Sequence, residues 1–253
     1  MLRYKVAVIG GGISGMEVAK NLSSMGISVS LIEKNDHLGG HIYDWFRLFP
    51  DMENPGNILE TLVPFVHNNT DLFLSSIIKR SNRTNSGFDL ELDRGQHITC
   101  DAVIITSGYK LFNAALKEEY GYRIYDNVIT SADLEIKLKQ GKPLTTSSGK
   151  TPQRIAIIHC VGSRDEKVGN TYCSKVCCIT GVKQAIELKQ LIPGAEIFSF
   201  YMDLRMYDRH FEDLFCEAQF KYGIKYFRGR LSEAGENRDG SILLKMVLKA
   251  CPA

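Results

Sequence analysis

A glycine pattern near the amino terminus constrains the fold of this 253-residue chain more than any other feature. Its three glycines, in a G-x-G-x-x-G spacing, are Gly10, Gly12 and Gly15. A β-type run over 5–9 precedes them, a helical pattern over 13–25 follows, and a second β-type run over 28–33 ends in Glu33. Strand, glycine turn, helix and strand together predict a Rossmann βαβ unit.

The expected role of this turn is to hold a dinucleotide. Gly10 permits the tight turn, Gly12 lets the backbone approach a pyrophosphate, and Gly15 lets helix and strand pack closely. The helix would direct free N–H groups and its positive dipole end toward the phosphates. Glu33 stands where an acid accepts hydrogen bonds from a ribose diol. The alternative is a glycine turn that serves packing alone.

Composition and charge exclude several classes of protein. The formal net charge is +2 and no long run of Lys and Arg occurs, which argues against a nucleic-acid surface. No apolar stretch approaches the roughly 20 residues of a transmembrane helix. The chain enters its first strand almost at once, which leaves no room for a signal peptide, so we expect a cytoplasmic protein.

The remaining pattern predicts a second α/β unit. Before it, residues 73–79 and 101–106 are expected as strands, and the alternating run 88–92 as part of a small antiparallel element. The stretch 139–152 is rich in Pro, Gly, Ser and Thr and predicts a linker. Beyond it the predicted strands cover 154–159, 196–201 and 224–227, and the predicted helices cover 172–191 and 209–221.

Four of the seven cysteines crowd into one short segment of this second unit. They are Cys160, Cys173, Cys177 and Cys178. On a helix over 172–191, Cys173 and Cys177 would share one face, close to the positive helix end. Four thiolates at one place suit an iron–sulfur cluster or a zinc ion. Buried core cysteines and a redox disulfide are the alternatives, although the C-x-x-C spacing usual for the latter is missing.

Two further segments resemble the FAD domains of the glutathione and thioredoxin reductase class. They are LGGH at 38–41 and DAVIITSG at 101–108, a strand that ends in a small-residue turn. The resemblance favours FAD over NAD and implies an α/β fold of two Rossmann-like domains of thioredoxin/glutathione reductase type. The residues expected to bind the cofactor are Gly10, Gly12, Ile13, Ser14, Gly15, Glu33, Lys34, Gly39, Gly40, His41, Thr106 and Gly108.

The cysteine segment resembles the A subunit of heterodisulfide reductase and its relatives, which include the A subunit of the quinone-interacting membrane-bound oxidoreductase. The matching segments are CVGSRD at 160–165, YCSKVCC at 172–178, FYMD at 200–203, EEYGY at 118–122 and NVITS at 127–131. The resemblance implies that the four cysteines hold a [4Fe–4S] cluster. It also makes Lys183 the expected catalytic residue, because the matching lysine can approach the flavin N5. An ordinary solvated helix lysine is the alternative at that position.

The chain also departs from that family's pattern. It contains no C-x2-C-x2-C-x3-C-P run and hence no ferredoxin module, and it stops where relatives return to the FAD domain. We therefore expect a C-terminally truncated form. Its predicted parts are an FAD-binding domain over 1–138, a linker over 139–152, and a cluster-bearing unit that resembles an NAD domain over 153–253.

The predicted function is that of an FAD-dependent oxidoreductase component. It would relay electrons between FAD and a [4Fe–4S] cluster, to or from a partner of a heterodisulfide-reductase-like complex. A non-catalytic remnant or assembly component of the same fold is one alternative, and an NAD(P)H-dependent flavin disulfide reductase is another. The expected partners are other redox subunits, with a homodimer left open, and no nucleic acid or transmembrane segment is expected.

Overall fold

The computed structural model describes residues 4–248, and the chain divides into two compact units. Unit 1 comprises Met1–Phe46 and Asn54–Lys110, and unit 2 comprises Arg47–Glu53 and Leu111–Ala253. Cys251 lies outside the described residues. Among residues 4–248, no helix is both long enough and apolar enough to cross a bilayer.

The two compact units do not divide at the predicted boundary between 138 and 139. Residues 111–138 belong to unit 2, because the helix over Ser131–Lys139 is bound to a later helix of that unit. Gln184 Nε2 donates to the Ser131 carbonyl at 2.9 Å and to Glu135 Oε1 at 2.7 Å. The functional division of the chain into domains stays a prediction.

Unit 1 is built on a four-stranded sheet that contains the predicted βαβ unit. Its elements are β1 (Lys5–Ile9), α1 (Ile13–Ser24), β2 (Ser28–Ile32), α2 (Pro55–Asn69), β3 (Asp71–Phe73), β4 (Ile78–Thr84), β5 (Gly87–Leu92), β6 (His97–Cys100) and β7 (Ala102–Ile105). The order is β3-β2-β1-β7, and all three pairings are parallel. Val8 and Leu31 are fully buried on the central strands, against Met16 of α1 and Leu62 of α2. This packing fixes the start of α1 at the carboxyl edge of β1.

The predicted antiparallel element is a separate three-stranded sheet in the order β4-β5-β6. Its buried side chains, Leu90, Leu92 and Ile98, pack with Ala7 and Ile32 of the parallel sheet. The single strand predicted over 73–79 is wrong: β3 ends at Phe73 and β4 begins at Ile78. Ser75 between them has a φ of 49°, which turns the chain out of the extended conformation.

Unit 2 contains a second parallel sheet with one added antiparallel strand. Its elements are α3 (Ser131–Lys139), β8 (Arg154–Ile158), α4 (Cys177–Leu191), β9 (Glu196–Tyr201), α5 (Phe211–Phe220), β10 (Lys225–Glu236) and β11 (Ile242–Leu248). The order is β11-β10-β9-β8, with β8, β9 and β10 parallel and β11 antiparallel to β10. Helix α4 is the most deeply buried helix of the unit, with Ile179, Val182 and Ile186 among its enclosed residues.

The helix predicted over 172–191 begins later than expected. Helix α4 starts at Cys177, because Lys175 has a φ of 65°, in the left-handed region, and ends the loop that precedes the helix. Cys173 therefore lies in this loop and does not share a helix face with Cys177. The strand predicted over 224–227 is also longer than expected and continues to Glu236, where it forms a hairpin with β11.

Candidate cofactor sites

The glycine turn of unit 1 has no room for side chains. A Cβ on Gly15 would lie 1.8 Å from the Gly10 carbonyl oxygen, and one on Gly10 would lie 2.4 Å from the Thr106 carbonyl oxygen. Gly10 also has a φ of 108°, a conformation that favours glycine. The turn brings the backbone of β1 to the first turn of α1, where no side chain caps the helix. The leading N–H groups of α1 are thus available for phosphate oxygens.

Glu33 is held rigidly beside this turn. Its Oε2 accepts from the Gly11 N–H at 2.6 Å, and its Oε1 accepts from the Asn35 N–H at 2.8 Å. Each carboxylate oxygen keeps a second lone pair for a ribose hydroxyl. The side chain is buried except for 5% of the residue surface, so its orientation is set before any ligand arrives.

The second glycine pair lies against the first pattern. The Gly39 N–H donates to the Gly11 carbonyl at 2.8 Å, and a Cβ on Gly40 would lie 3.0 Å from the Gly12 Cα. The hydroxyl of Thr106, just after β7, is 2.9 Å from the Gly10 carbonyl oxygen. The structure therefore brings the glycine pattern, the glycine pair and Thr106 to one edge of the sheet.

The other residues predicted to bind the cofactor lie around this edge. His41 Nε2 is 2.9 Å from the Tyr109 carbonyl oxygen, and its ring stacks on the Tyr109 ring with centroids 4.4 Å apart. Gly108 has a φ of 69° and nothing near its missing side chain. Three further members of the set have exposed side chains: Ile13, Ser14 and Lys34. The glycine backbone, the fixed carboxylate of Glu33 and the uncapped start of α1 together form a site that fits a dinucleotide.

The thiols of the cysteine segment converge in unit 2. Cys160 follows β8, and its Sγ lies 3.8 Å from Cys177 Sγ in the first turn of α4. Cys178 Sγ is 3.6 Å from the Asp203 carbonyl oxygen, beyond the end of β9. Cys173 Sγ accepts from the Lys175 N–H at 3.3 Å. Three members of the expected ligand set, Cys160, Cys177 and Cys178, thus lie at the carboxyl edge of the sheet, and Cys173 lies in the loop before α4.

The thiols share their protons unequally. The pKa of the Cys177 thiol is lowered, first because Cys160 donates a hydrogen bond to it and then because Cys178 does. The pKa values of Cys160 and Cys178 are raised, first by donating to Cys177 and then by burial. One thiolate at the positive end of α4 is the arrangement that the helix dipole favours. The neighbouring sulfurs of Cys160, Cys177 and Cys178 are donors of the kind that a metal–thiolate centre uses, and metal loading would release the remaining thiol protons.

The loop between Cys160 and Cys173 is fixed by hydrogen bonds within the segment. Ser163 Oγ donates to the Tyr172 carbonyl at 3.0 Å and accepts from the Ser174 N–H at 2.9 Å. Asn170 Nδ2 donates to the Gly162 carbonyl at 2.9 Å. These bonds hold the loop between the two cysteines in one conformation.

Charged side chains hold the outer side of the same loop. Asp165, 3% exposed, lies between Lys117 Nζ at 2.8 Å and Arg230 Nη2 at 3.1 Å. Asp203 accepts from Arg164 at 2.9 Å and from Arg228 at 3.1 Å. A cavity of about 860 Å³ opens beside these pairs, and each of the four cations contacts a carboxylate, with Arg164 and Arg228 sharing that of Asp203.

Lys183 is not a solvated helix lysine. Only 2% of the residue is exposed, and its Nζ contacts Glu135 Oε1 at 2.5 Å, the Arg47 carbonyl at 2.9 Å and Glu187 Oε1 at 3.4 Å. Neither carboxylate oxygen of Glu187 accepts a hydrogen bond from a described residue. Burial is the main reason why the pKa of Glu187 rises to about 7. The catalytic role of Lys183 stays a prediction, in a buried cluster of two carboxylates and one ammonium.

His159 is the residue that sequence reasoning missed. It lies directly before Cys160, and one of its ring nitrogens lies within 4.8 Å of the Sγ atoms of Cys177 and Cys178, which are equally close to each other. The histidines show no ligand spacing along the chain, because this proximity depends on where α4 packs against the end of β8. Its position beside Cys160 was the only available signal.

A family model described as an NAD(P)-binding Rossmann-like domain matches residues 8–71. Thioredoxin reductase from T. acidophilum has a similar fold over 97% of this chain and 75% of its own, with a TM-score of 0.62 and 14% identity. The Lactococcus lactis thioredoxin reductase gives the same TM-score at 12% identity, over 96% of this chain and 75% of its own. The chain thus has the thioredoxin-reductase-like α/β fold, which confirms the predicted fold class.

Curated relatives define the family more narrowly. The A subunit of H(2):CoB-CoM heterodisulfide,ferredoxin reductase from Methanothermobacter marburgensis is 28% identical over 95% of this chain and 50% of its own length. The iron–sulfur A subunit of CoB–CoM heterodisulfide reductase from Methanocaldococcus jannaschii is 30% identical over 88% of this chain and 47% of its own. The chain is thus similar to the heterodisulfide reductase A subunit over most of its own length, as the motifs predicted. It spans about half the length of these relatives.

Proposed function

We propose that this chain binds FAD in unit 1 and a [4Fe–4S] cluster in unit 2, and that it exchanges electrons with partner redox subunits. The observation that carries the proposal is the convergence of the cysteine thiols, with Cys160 and Cys177 3.8 Å apart although 17 positions separate them in the sequence. The homology to the heterodisulfide reductase A subunit supports it, since the M. jannaschii relative is named an iron–sulfur subunit.

The residues of unit 1 would bind and orient the flavin nucleotide. The uncapped start of α1 would bind the pyrophosphate, and Glu33 would accept from the ribose hydroxyls. FAD exchanges electrons in pairs and an iron–sulfur cluster exchanges them singly, so a chain that holds both can join a two-electron donor to a one-electron acceptor. The protein's own contribution is to hold each group and to set its potential.

The residues of unit 2 would bind the cluster and keep water from it. Cys160 and Cys178 are buried, and hydrogen bonds hold the loop between Cys160 and Cys173 in place. The positive end of α4 and the guanidinium of Arg164 favour negative charge on the sulfurs. The pKa of Arg164 is raised first by its hydrogen bond to Asp203 and also by Cys160 and Cys173. Cluster potentials span roughly −700 to +450 mV, so the ligand set alone does not fix the direction of electron flow.

The test is anaerobic purification followed by a visible spectrum and by analysis of flavin, iron, sulfide and zinc. We expect flavin bands and about four irons with four sulfides per chain, the content of one [4Fe–4S] cluster. Zinc in place of iron would contradict the cluster, and flavin without metal would favour a simple flavin reductase. A protein that binds neither group would contradict the proposal as a whole.

A matched pair of variants shows which cysteines hold the iron. Cys177→Ser and Cys216→Ser make the same chemical change, but Cys216 lies exposed on α5, outside the expected ligand set. We expect the first variant to lose most of its iron and the second to keep it. Equal iron in both variants would contradict the assignment of Cys177 as a ligand.

A further inference from the structure

A buried histidine lies beside the cysteine ligands and has no part in the site as proposed above. His159 is 8% exposed, and a ring nitrogen lies within 4.8 Å of the Sγ atoms of both Cys177 and Cys178. Its Nδ1 is enclosed and has no hydrogen-bond partner within residues 4–248. A buried ring nitrogen without a partner is uncommon in folded proteins and calls for an explanation.

The hydrogen bond at the other ring nitrogen allows the proton to be on Nδ1. His159 Nε2 is 2.8 Å from the hydroxyl of Ser199, which is fully buried in β9. When this hydroxyl donates to Nε2, the neutral ring carries its proton on Nδ1. The Nδ1–H is then a donor that bonds no acceptor among residues 4–248, on a ring that lies beside the sulfurs of Cys177 and Cys178.

The backbone around the ring leaves it little freedom. The His159 N–H donates to the Phe200 carbonyl of β9 at 3.0 Å. On the opposite side, Gly181 of α4 gives the ring its space, because a Cβ there would lie 2.5 Å from His159 Cε1. Glycine in a helix interior costs about 1 kcal/mol relative to alanine, so the space for this ring is maintained against helix propensity. The ring therefore occupies a fixed place next to the sulfurs.

We propose that His159 is a positioning residue for the cluster: its Nδ1–H donates a hydrogen bond to a ligand sulfur, Cys177 or Cys178, and so raises the reduction potential of the cluster. The physical reason is that reduction adds negative charge to the cluster, and an N–H donor to sulfur stabilises that charge. This inference rests on the proposed function, because it requires the four cysteines to hold a cluster. Ser199 acts through His159 by setting the tautomer.

The test compares cluster potentials in the reconstituted 253-residue chain. Wild type, His159→Leu, His159→Gln and Ser199→Ala are loaded with iron and sulfide without oxygen, and the midpoint potential is read from the signal of the reduced cluster in a redox titration. Ser30→Ala is the matched control for Ser199→Ala, because Ser30 is equally buried in β2 of unit 1 and its hydroxyl has no partner within the described chain.

The expected result is full iron content with a graded change in potential. His159→Leu shifts the potential to more negative values, Ser199→Ala shifts it less far in the same direction, and His159→Gln, which keeps an N–H donor, stays closer to wild type. Ser30→Ala keeps the wild-type potential. If His159→Leu does not fold or does not take up a cluster, the test rests on the serine pair. A more negative potential in Ser199→Ala than in Ser30→Ala supports the inference, and equal potentials contradict it.

Two results overturn the inference while the proposed function stands. One is a wild-type protein with a complete cluster whose potential is the same in His159→Leu and Ser199→Ala. The other is a His159→Leu protein that binds a cluster with only three irons, because His159 would then be a ligand and not a donor to sulfur. A wild-type protein that takes up no iron contradicts the proposed function, and the inference falls with it.

Discussion

At the scale of single residues, the nucleotide turn tolerates no added atom at Gly15. A Cβ there would lie 1.8 Å from the Gly10 carbonyl oxygen, so α1 and β1 would have to separate. We expect Gly15→Ala to lower the free energy of unfolding by roughly 1–3 kcal/mol, as overpacking does, and to reduce the flavin retained after purification.

The control for this change is Gly194→Ala. Gly194 has no heavy atom near its missing Cβ and does not adopt the left-handed conformation, so alanine fits without strain. Denaturant unfolding and flavin analysis of both variants provide the measurement. Equal free energies of unfolding and equal flavin content in the two variants would show that the close contact at Gly15 contributes neither to stability nor to flavin binding.

Asp165 is the second residue with a large expected effect. It is buried between Lys117 and Arg230, and hydrogen bonding to Lys117 is the main reason why its pKa is lowered. Replacement by asparagine leaves the ammonium of Lys117 buried with Glu119 as its remaining partner. We expect Asp165→Asn to cost about 3 kcal/mol of stability, the usual scale for breaking a buried ion pair, and to weaken iron retention because the loop over 160–173 loosens.

Asp239→Asn is the matched change on the surface, because Asp239 is exposed and bonds only Ser241 among described partners. We expect it to alter stability by less than about 1 kcal/mol. The contribution of Asp165 also has a pH signature. A carboxyl whose pKa is depressed by folding stabilises the protein above its ordinary pKa, and this stabilisation is lost as the pH falls through the folded value. If Asp165→Asn is as stable as Asp239→Asn, the buried ion pairs of Asp165 do not stabilise the protein as expected.

At the scale of elements, helix α4 carries a buried acid that titrates near neutrality. Glu187 faces Lys183, Glu135 and Arg47, and burial is the main cause of its rise in pKa from 4.5 to about 7. The folded protein therefore keeps a proton that the unfolded chain releases between about pH 4.5 and 7. Stability falls as the pH rises through this window, by up to about 3 kcal/mol, and levels off above it.

The measurement is the free energy of unfolding at about pH 5 and about pH 8, on either side of this titration, in wild type and Glu187→Gln. We expect the glutamine variant to lose less stability over this range, because its side chain does not ionise. Glu212→Gln on the exposed side of α5 is the control and should keep the wild-type dependence. An unchanged pH dependence in Glu187→Gln would show that Glu187 does not titrate there.

Elements with strong local signals could be predicted from the sequence. The βαβ unit that contains β1, α1 and β2 follows from apolar periodicity and from glycine spacing, both of which are local. The start of α4 could not be predicted, because nothing in the helical pattern over 172–176 shows that Lys175 adopts a left-handed conformation. The proximity of His159 to the sulfurs depends on packing between β8, β9 and α4, which no spacing in the sequence encodes.

At the scale of the whole molecule, the two candidate sites use residues from different compact units. The nucleotide turn belongs to unit 1, and the cysteines belong to unit 2. We therefore expect loading of the two cofactors to be separable. Cys177→Ala should lose iron and keep flavin, whereas Gly15→Ala should lose flavin and keep iron.

Flavin and iron analysis of both variants, purified side by side without oxygen, tests this separation. The double variant provides the control, since it should lack both groups while keeping the circular dichroism of a folded α/β protein. A single substitution that removes both cofactors would mean that one site requires the other to be filled.

The close approach of Cys160 and Cys177 has a consequence for handling the iron-free protein in air. A thiolate 3.8 Å from a neighbouring thiol needs little movement to form a disulfide once an oxidant removes two electrons and the thiol releases its proton. In apoprotein stored in air, we expect the count of free thiols to fall by two and the mass to fall by that of two hydrogen atoms. The oxidised apoprotein should not bind iron until a reductant is added. In Cys160→Ser this disulfide cannot form, so the variant should not lose thiols in this way. That result would identify the Cys160–Cys177 pair as the site of air oxidation.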